Sequence, residues 1–369
     1  MRIGVPAETR PHERRVALVP DGVAKLSKAG CQVVVQQGAG AAAYFPDAEF
    51  AAAGATLVPS AAEALAADLV LKVQRPSAEE AAQLREGGAL ISLLAPASSA
   101  DLLAALTARR VTAFAMELVP RTTKAQAMDA LSSQATIAGY KAVLIGADAM
   151  GRILPMLTTA AGTLAPARVF VVGAGVAGLQ AIATARRLGG IVSAFDVRSV
   201  VREQVQSLGA SFVEIAAEGG EGQGGYAKEL AEEQQRRVVA GIGAHAAGQD
   251  LVITTAQIPG RPAPRLLSAE AVGAMRAGSV IVDLAGESGG NCERTKFGEV
   301  VHAGGVTILS PANLPATVPF HASQMYGKNV LTFVTHLLHE GALQVDLDDP
   351  ITGPMCVTHA GELRTGKAA

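Results

Sequence analysis

"VFVVGAGVAGLQAIATARRLGGIVSAFD", Val169 to Asp196, decides the fold. A β-favouring run enters Gly173, Gly175 and Gly178 in the frame GxGxxG, a helical stretch follows, and a second apolar run ends on Asp196. Strand, glycine loop, helix, strand and acid is the order of a dinucleotide-binding βαβ unit. Gly173 permits the tight turn, Gly175 lets the backbone approach a pyrophosphate, and Gly178 lets helix and strand pack closely. Val176 and Ala177 open the helix, whose first N–H groups hold the phosphates. Asp196 lies 18 residues beyond Gly178, near the expected spacing of about 20. A carboxylate there accepts from a ribose diol and repels a 2′-phosphate, so NAD(H) is favoured over NADP(H). Val197 adjoins it, and Arg198 either meets a 2′-phosphate or lies flat against the adenine.

Outward from this stretch the same rhythm repeats. "RVFVV", "GIVSAF", "LVITTA", "SVIVDLA" and "VTILS" read as strands of one sheet, and "RIGV", "CQVVV", "DLVLKV", "ALISLL" and "VTAFAM" as strands of another. The fold class is therefore α/β, with two doubly wound parallel-sheet domains and a cleft between them. Residues 1–133 with 323–369 are assigned to the first domain and 134–322 to the dinucleotide-binding one. "SSQATIAGYKAVLIGADAM", Ser132 to Met150, reads as a long connecting helix. Asp21 is expected to cap the helix that Gly30 ends, and "DAEF", Asp47 to Phe50, to start another. The late segment "HASQMYGKNVLTFVTHLLHE" reads as helical, and "DDPITGPMCVTHAGEL" as a polar tail.

Composition excludes several classes. The net charge is -2 and no Lys/Arg run occurs, so nucleic acid is not an expected partner. Residues 169–185 are uncharged but fall short of the roughly 20 that a membrane helix needs, and glycines interrupt them. Cys31, Cys292 and Cys356 form no CxxC, so neither disulfides nor a metal site are expected, and a reduced cytoplasmic setting follows. The N-terminus carries no secretory h-region.

Other segments bear on the same crevice. "AAEGGEGQGGY", Ala216 to Tyr226, holds five glycines and reads either as a mobile lid or as a solvated linker. Within "TTAQIPGRPAP", Thr254 to Pro264, Ala256 and Gln257 either touch the adenosine half or form an ordinary turn. A substrate acid or base is harder to find. His12 reads as a turn residue, His321, His336 and His339 lie on the late helical segment with i, i+3 spacing in the last pair, and His245, His302 and His359 have no supporting pattern.

Over nearly its whole length the chain resembles the NAD(H)-binding component of proton-translocating transhydrogenase, a family related to alanine dehydrogenase. The matching runs are "RIGVPAETRPHERRVALVP", "RTTKAQAMDALSSQATIAGYKAV", "MLTTAAGTLAPARVFVVGAGVAGLQAIATARRLG", "GGYAKEL", "TTAQIPGRPAP" and "VDLAGESGGNCE". The resemblance implies NAD(H) bound here and direct, Re/Si-specific hydride exchange with NADP(H) on a partner subunit. A membrane-spanning subunit would couple this to proton translocation. It further implies a homodimer, active only with its partners and peripheral on the inner face of the cell membrane.

The resemblance also assigns residues. Arg121, Gln126, Asp129 and Ser132 come to the nicotinamide end, the last three sharing one helix face by i, i+3, i+6 spacing. Gln126 would hold a ribose hydroxyl, Asp129 and Ser132 would orient the carboxamide, and Arg121 would pair with Asp129. The alternative is a polar helix start with Asp or Ser caps. Gly225 and Tyr226 carry over as a lid tip, and Glu287 receives no role. The dehydrogenase relatives use a Lys in the strand corresponding to "LKVQRP" and a His after the strand corresponding to "LISLLAPA"; at those places this chain has Gln74 and Ala95. Arg15 persists and leaves some anion-binding capacity open. Two rival readings remain: an alanine-dehydrogenase-like amino acid dehydrogenase, and an NAD(H)-sensing protein without chemistry. Hydride exchange between two nicotinamides needs alignment rather than a proton donor, which suits Gln74 and Ala95.

Overall fold

Alternation within the apolar runs builds each sheet. The computed structural model describes residues 1–215, 232–258 and 261–364. The chain falls into two units, Met1–Gln134 with Pro315–Ala369, and Ala135–Leu314.

The first unit holds β1 (Arg2–Val5), β2 (Gln32–Gln36), β3 (Thr56–Val58), β4 (Leu69–Leu71), β5 (Ala89–Ser92), β6 (Thr112–Ala115), β18 (Cys356–His359) and β19 (Glu362–Leu363). Their order across the sheet is β19-β18-β6-β5-β4-β1-β2-β3. β1 to β6 pair in parallel, whereas β18 and β19 run antiparallel at the edge. Ile3, Val33, Leu69 and Ile91 fill the core on one face, and Val34, Val70, Leu90 and Ala113 fill the other. Burial on both faces is why these strands read as continuous apolar runs.

Three local expectations are corrected here. The segment read as a polar tail contains β18, whose Cys356, Val357 and Thr358 are buried. Thr358 can be buried because its hydroxyl donates to the Val111 carbonyl at 2.8 Å. Asp21 does not cap its helix. Pro20 takes the first helical position, so Asp21 lies inside the first turn and pairs with Lys25 at 2.7 Å. The helix Pro319–Leu337 stops before His339, which lies in β16 (Leu338–His339), paired with β17 (Ala342–Leu343).

The second unit is the sheet announced by the glycine loop. β9 (Arg168–Val172), β10 (Ile191–Phe195), β11 (Ser211–Phe212), β12 (Leu251–Thr254), β13 (Val280–Asp283), β14 (Val300–Ala303) and β15 (Val306–Leu309) are ordered β11-β10-β9-β12-β13-β15-β14, all parallel except β14. Val169, Val171, Leu251 and Ile253 face one core, and Phe170, Val172 and Val252 the other. The chain leaves β9 on one side towards β10 and returns on the other at β12. Between β9 and β12 the strand order reverses, and at their carboxyl ends such sheets bind ligands.

The helix Ala130–Ala149 reaches this place at Gly139, where an added Cβ would stand 2.0 Å from the Ala177 carbonyl oxygen. That close approach seats it on the first turn of the glycine-loop helix. β7 (Leu157–Thr159) and β8 (Gly162–Leu164) form a separate exposed hairpin. No helix among the described residues is long and apolar enough to cross a membrane.

Candidate functional site

β9 leads directly into the left-handed residue Gly173, with φ of +99°. Gly175 is the N-cap of the helix Val176–Arg187. A Cβ on Gly178 would lie 1.8 Å from the Gly173 carbonyl oxygen, so the helix can sit on the strand end only without one. At Gly175 an added Cβ would meet nothing within 4 Å. The protein's own packing leaves that backbone open, which is the room a pyrophosphate needs above a helix N-terminus. Val176 is 42% exposed there, and Ala177 is half-buried.

Asp196 leaves the end of β10 and bonds back to the loop. Its carboxylate accepts from the Ala174 N–H at 2.8 Å, and from the Arg198 N–H, Nε and Nη2 at 2.9 Å each. The Arg198 guanidinium closes a fork on the buried carboxylate two residues before it. Val197 is partly buried against the core beside it.

The segment that leaves β12 lies against the glycine turn. The Thr255 hydroxyl donates to the Gly173 carbonyl at 3.1 Å. Ala256 N–H donates to Asn291 Oδ1 at 3.0 Å, and Gln257, exposed, donates from Nε2 to the Leu284 carbonyl at 2.9 Å. Gly225 and Tyr226 lie outside the described residues. Glu287 is exposed in a short turn, Gly286–Ser288.

The remaining assigned residues belong to the first unit. Arg121 and Gln126 are exposed, Gln126 opening a 3₁₀ turn, Gln126–Met128. The shared helix face is not observed: Asp129 lies between that turn and the helix starting at Ala130. Its carboxylate accepts from the Ser132 N–H at 2.8 Å and the Ser132 hydroxyl at 2.6 Å. An N-cap carboxylate satisfies a helix-start N–H by leaving helical geometry, so it cannot continue the spacing.

Nearby, Arg15 is 3% exposed and fully engaged. It reaches Glu13 through Nε at 2.8 Å and Nη2 at 2.6 Å, and Gln134 through Nη1 at 2.8 Å. Gln74 Nε2 donates to the same Glu13 at 2.8 Å. Burial pushes the Glu13 carboxyl up, but the Arg15 bond and charge, with Gln74, outweigh it and hold the pKa at about 2. Lys72, 1% exposed, pairs with Glu80 at 2.9 Å and Glu8 at 3.4 Å. Ala95, with φ of +49°, and Leu94 both donate N–H groups to Glu117, whose pKa burial raises.

Two family models cover nearly all of this architecture: alanine dehydrogenase/PNT N-terminal domain over residues 4–138, and alanine dehydrogenase/PNT C-terminal domain over 142–366. The chain belongs to the alanine dehydrogenase/PNT family. Within it, the chain is 46% identical over 374 residues to an NAD(P) transhydrogenase subunit alpha polypeptide of Rhodospirillum rubrum, covering 98% of this chain and 97% of that one. Alanine dehydrogenase of Mycobacterium tuberculosis is more distant, at 33% identity over 379 residues, covering 100% and 96%. Among solved structures, the transhydrogenase of Sinorhizobium meliloti matches with a TM-score of 0.91 and 44% identity, covering 99% of this chain and 100% of that one.

In this member of the alanine dehydrogenase/PNT family, sequence reasoning missed Asp283 and Asn291, both buried behind the β12 exit. The signal was present as an acid ending an apolar strand and an Asn after two glycines. It also missed Glu8, Lys72, Glu80 and Glu117, because charged residues scattered between strands ordinarily read as solvated surface.

Proposed function

We propose that the chain is the NAD(H)-binding alpha subunit of a proton-translocating NAD(P) transhydrogenase. The observation that carries this is the open backbone at Gly175, set at the reversal of strand order and tied through Ala174 to Asp196. NAD(H) bound there supplies the carbon that gives or takes a hydride. The glycine loop and the helix start hold the pyrophosphate, and Asp196 takes the adenosine ribose. Gln126 holds the second ribose, while Asp129, already fixed by Ser132, keeps acceptor capacity for the carboxamide. Arg121 steadies Asp129 as its ion partner.

Gln74 and Ala95 favour this reading over an amino acid dehydrogenase. Gln74 carries no charge, Ala95 carries no proton, and Arg15 already binds a carboxylate of the protein itself. What remains is alignment of two rings with water excluded. NADP(H) is held on a partner subunit, a membrane subunit couples transfer to proton movement, and the chain works as a homodimer at the membrane's inner face. The test mixes the purified chain with an NADP(H)-binding partner and follows transfer from NADPH to an acetylpyridine analogue of NAD. Transfer that requires both proteins is expected; transfer absent from the mixture, or consumption of NADH with pyruvate and ammonia by the chain alone, overturns the reading.

A further inference from the structure

We propose that Asn291 is a positioning residue for the nucleotide, its side-chain amide fixing the exit of β12 as the second wall of the glycine-loop site. The inference rests on the NAD(H) reading above. Asn291 is 0% exposed. Its Nδ2 donates to the Ala256 carbonyl at 2.8 Å and the Pro264 carbonyl at 2.9 Å, and its Oδ1 accepts from the Ala256 N–H at 3.0 Å. Two carbonyls on one side and an N–H on the other fix which way the amide points. Ala256 is thus bonded through both its N–H and its C=O, as a neighbouring strand would bond it, at a point where β12 has already ended.

The amide is itself held rigid. Gly289 and Gly290, with φ of +102° and +85°, turn the chain so that the Asn291 N–H donates to Asp283 Oδ2 at 2.8 Å. The Asn291 carbonyl accepts from Leu266 and Leu267 at 2.8 and 3.0 Å. On the other side Ala256 is one residue from Thr255, whose hydroxyl bonds to Gly173, and a Cβ on Gly173 would come within 2.7 Å of that hydroxyl. There is no slack between the two walls. A shift of Ala256 is therefore transmitted to the glycine turn, and losing the amide leaves three backbone groups to find other partners.

Asn291→Ala and Asn291→Ser are made in the full chain, the serine keeping one donor and room for water should the alanine variant not fold. Thr295→Val is the matched control: it removes a 2.7 Å bond to Asp283 but leaves the Asn291 amide in place. Binding of NADH is followed by its fluorescence, and of 5′-AMP by competition, well below each protein's Tm. The alanine variant should bind both roughly tenfold more weakly, the serine variant should fall between, and Thr295→Val should lower Tm without moving either affinity. Asn291 variants that bind AMP and NADH as the parent does overturn the positioning role while the NAD(H) reading stands. Equal weakening by Thr295→Val also overturns it, since general loosening would then suffice. A parent chain that binds neither ligand overturns the NAD(H) reading and this inference together.

Discussion

Asp196 serves two chain segments at once, holding the glycine loop through Ala174 and folding Arg198 onto itself. Asp196→Asn removes the charge from both bonds. Charge-assisted bonds contribute roughly 1.5–3 kcal/mol, so NADH affinity should fall about tenfold to a hundredfold, read by fluorescence titration. An unchanged titration would remove Asp196 from the site. Glu13 yields a prediction in pH. Its folded pKa of about 2 lies below the ordinary 4.5, so it stabilises the fold above about pH 4.5 and loses that contribution as pH falls towards 2. Glu13→Gln leaves Arg15 buried without its charge partner and should cost about 3–5 kcal/mol at neutral pH. Denaturation of both proteins across pH 7 to 2 should show the difference shrinking through that window; a constant difference would exclude the linkage. At this scale the spacing from the glycines brought Asp196 to the glycine loop, where its carboxylate accepts from the Ala174 N–H. It did not reveal the Glu13–Arg15–Gln74 cluster, because side-chain pairing between distant loops leaves no periodic trace.

Elements with one periodicity were legible; those interrupted by a cap or an edge were not. The strands around Val171 and Val70 are buried on both faces and stand out as apolar runs. β18, by contrast, is an antiparallel addition with polar neighbours in sequence: Cys356 and Val357 join the apolar cores, and Thr358 is buried with its hydroxyl bonded to Val111. The turn at Gln126–Met128 followed by the helix at Ala130 defeated the i, i+3, i+6 spacing because Asp129 caps the helix instead of continuing it. The cap and the role proposed for Asp129 at the nicotinamide can be separated. Asparagine caps about as well as aspartate, so Asp129→Asn should keep the Tm within a degree or two while slowing hydride transfer, whereas Asp129→Ala should slow transfer and also lose about 1 kcal/mol of stability. If the asparagine variant transfers hydride as the parent does, the carboxylate is a cap and nothing more.

At the scale of the whole chain, two sheets with βαβ order could be read directly, because a parallel sheet requires a crossover between each pair of strands and the alternation is visible over hundreds of residues. The proposed function rests the choice of chemistry on a much smaller set of groups, at Gln74, Ala95 and Arg15. Replacing Gln74 by lysine places an ammonium where the Gln74 amide now donates to Glu13 at 2.8 Å. The new cation would meet a carboxylate that already holds Arg15, and Ala95 would still offer no proton to a developing alkoxide or amine. Gln74→Lys should therefore leave NADH consumption with pyruvate and ammonia at background, while NADH titration and partner-dependent hydride transfer persist. Measurable turnover of pyruvate by that single variant would mean that the charge at position 74, rather than the combined loss of cation and proton donor, separates this chain from an amino acid dehydrogenase.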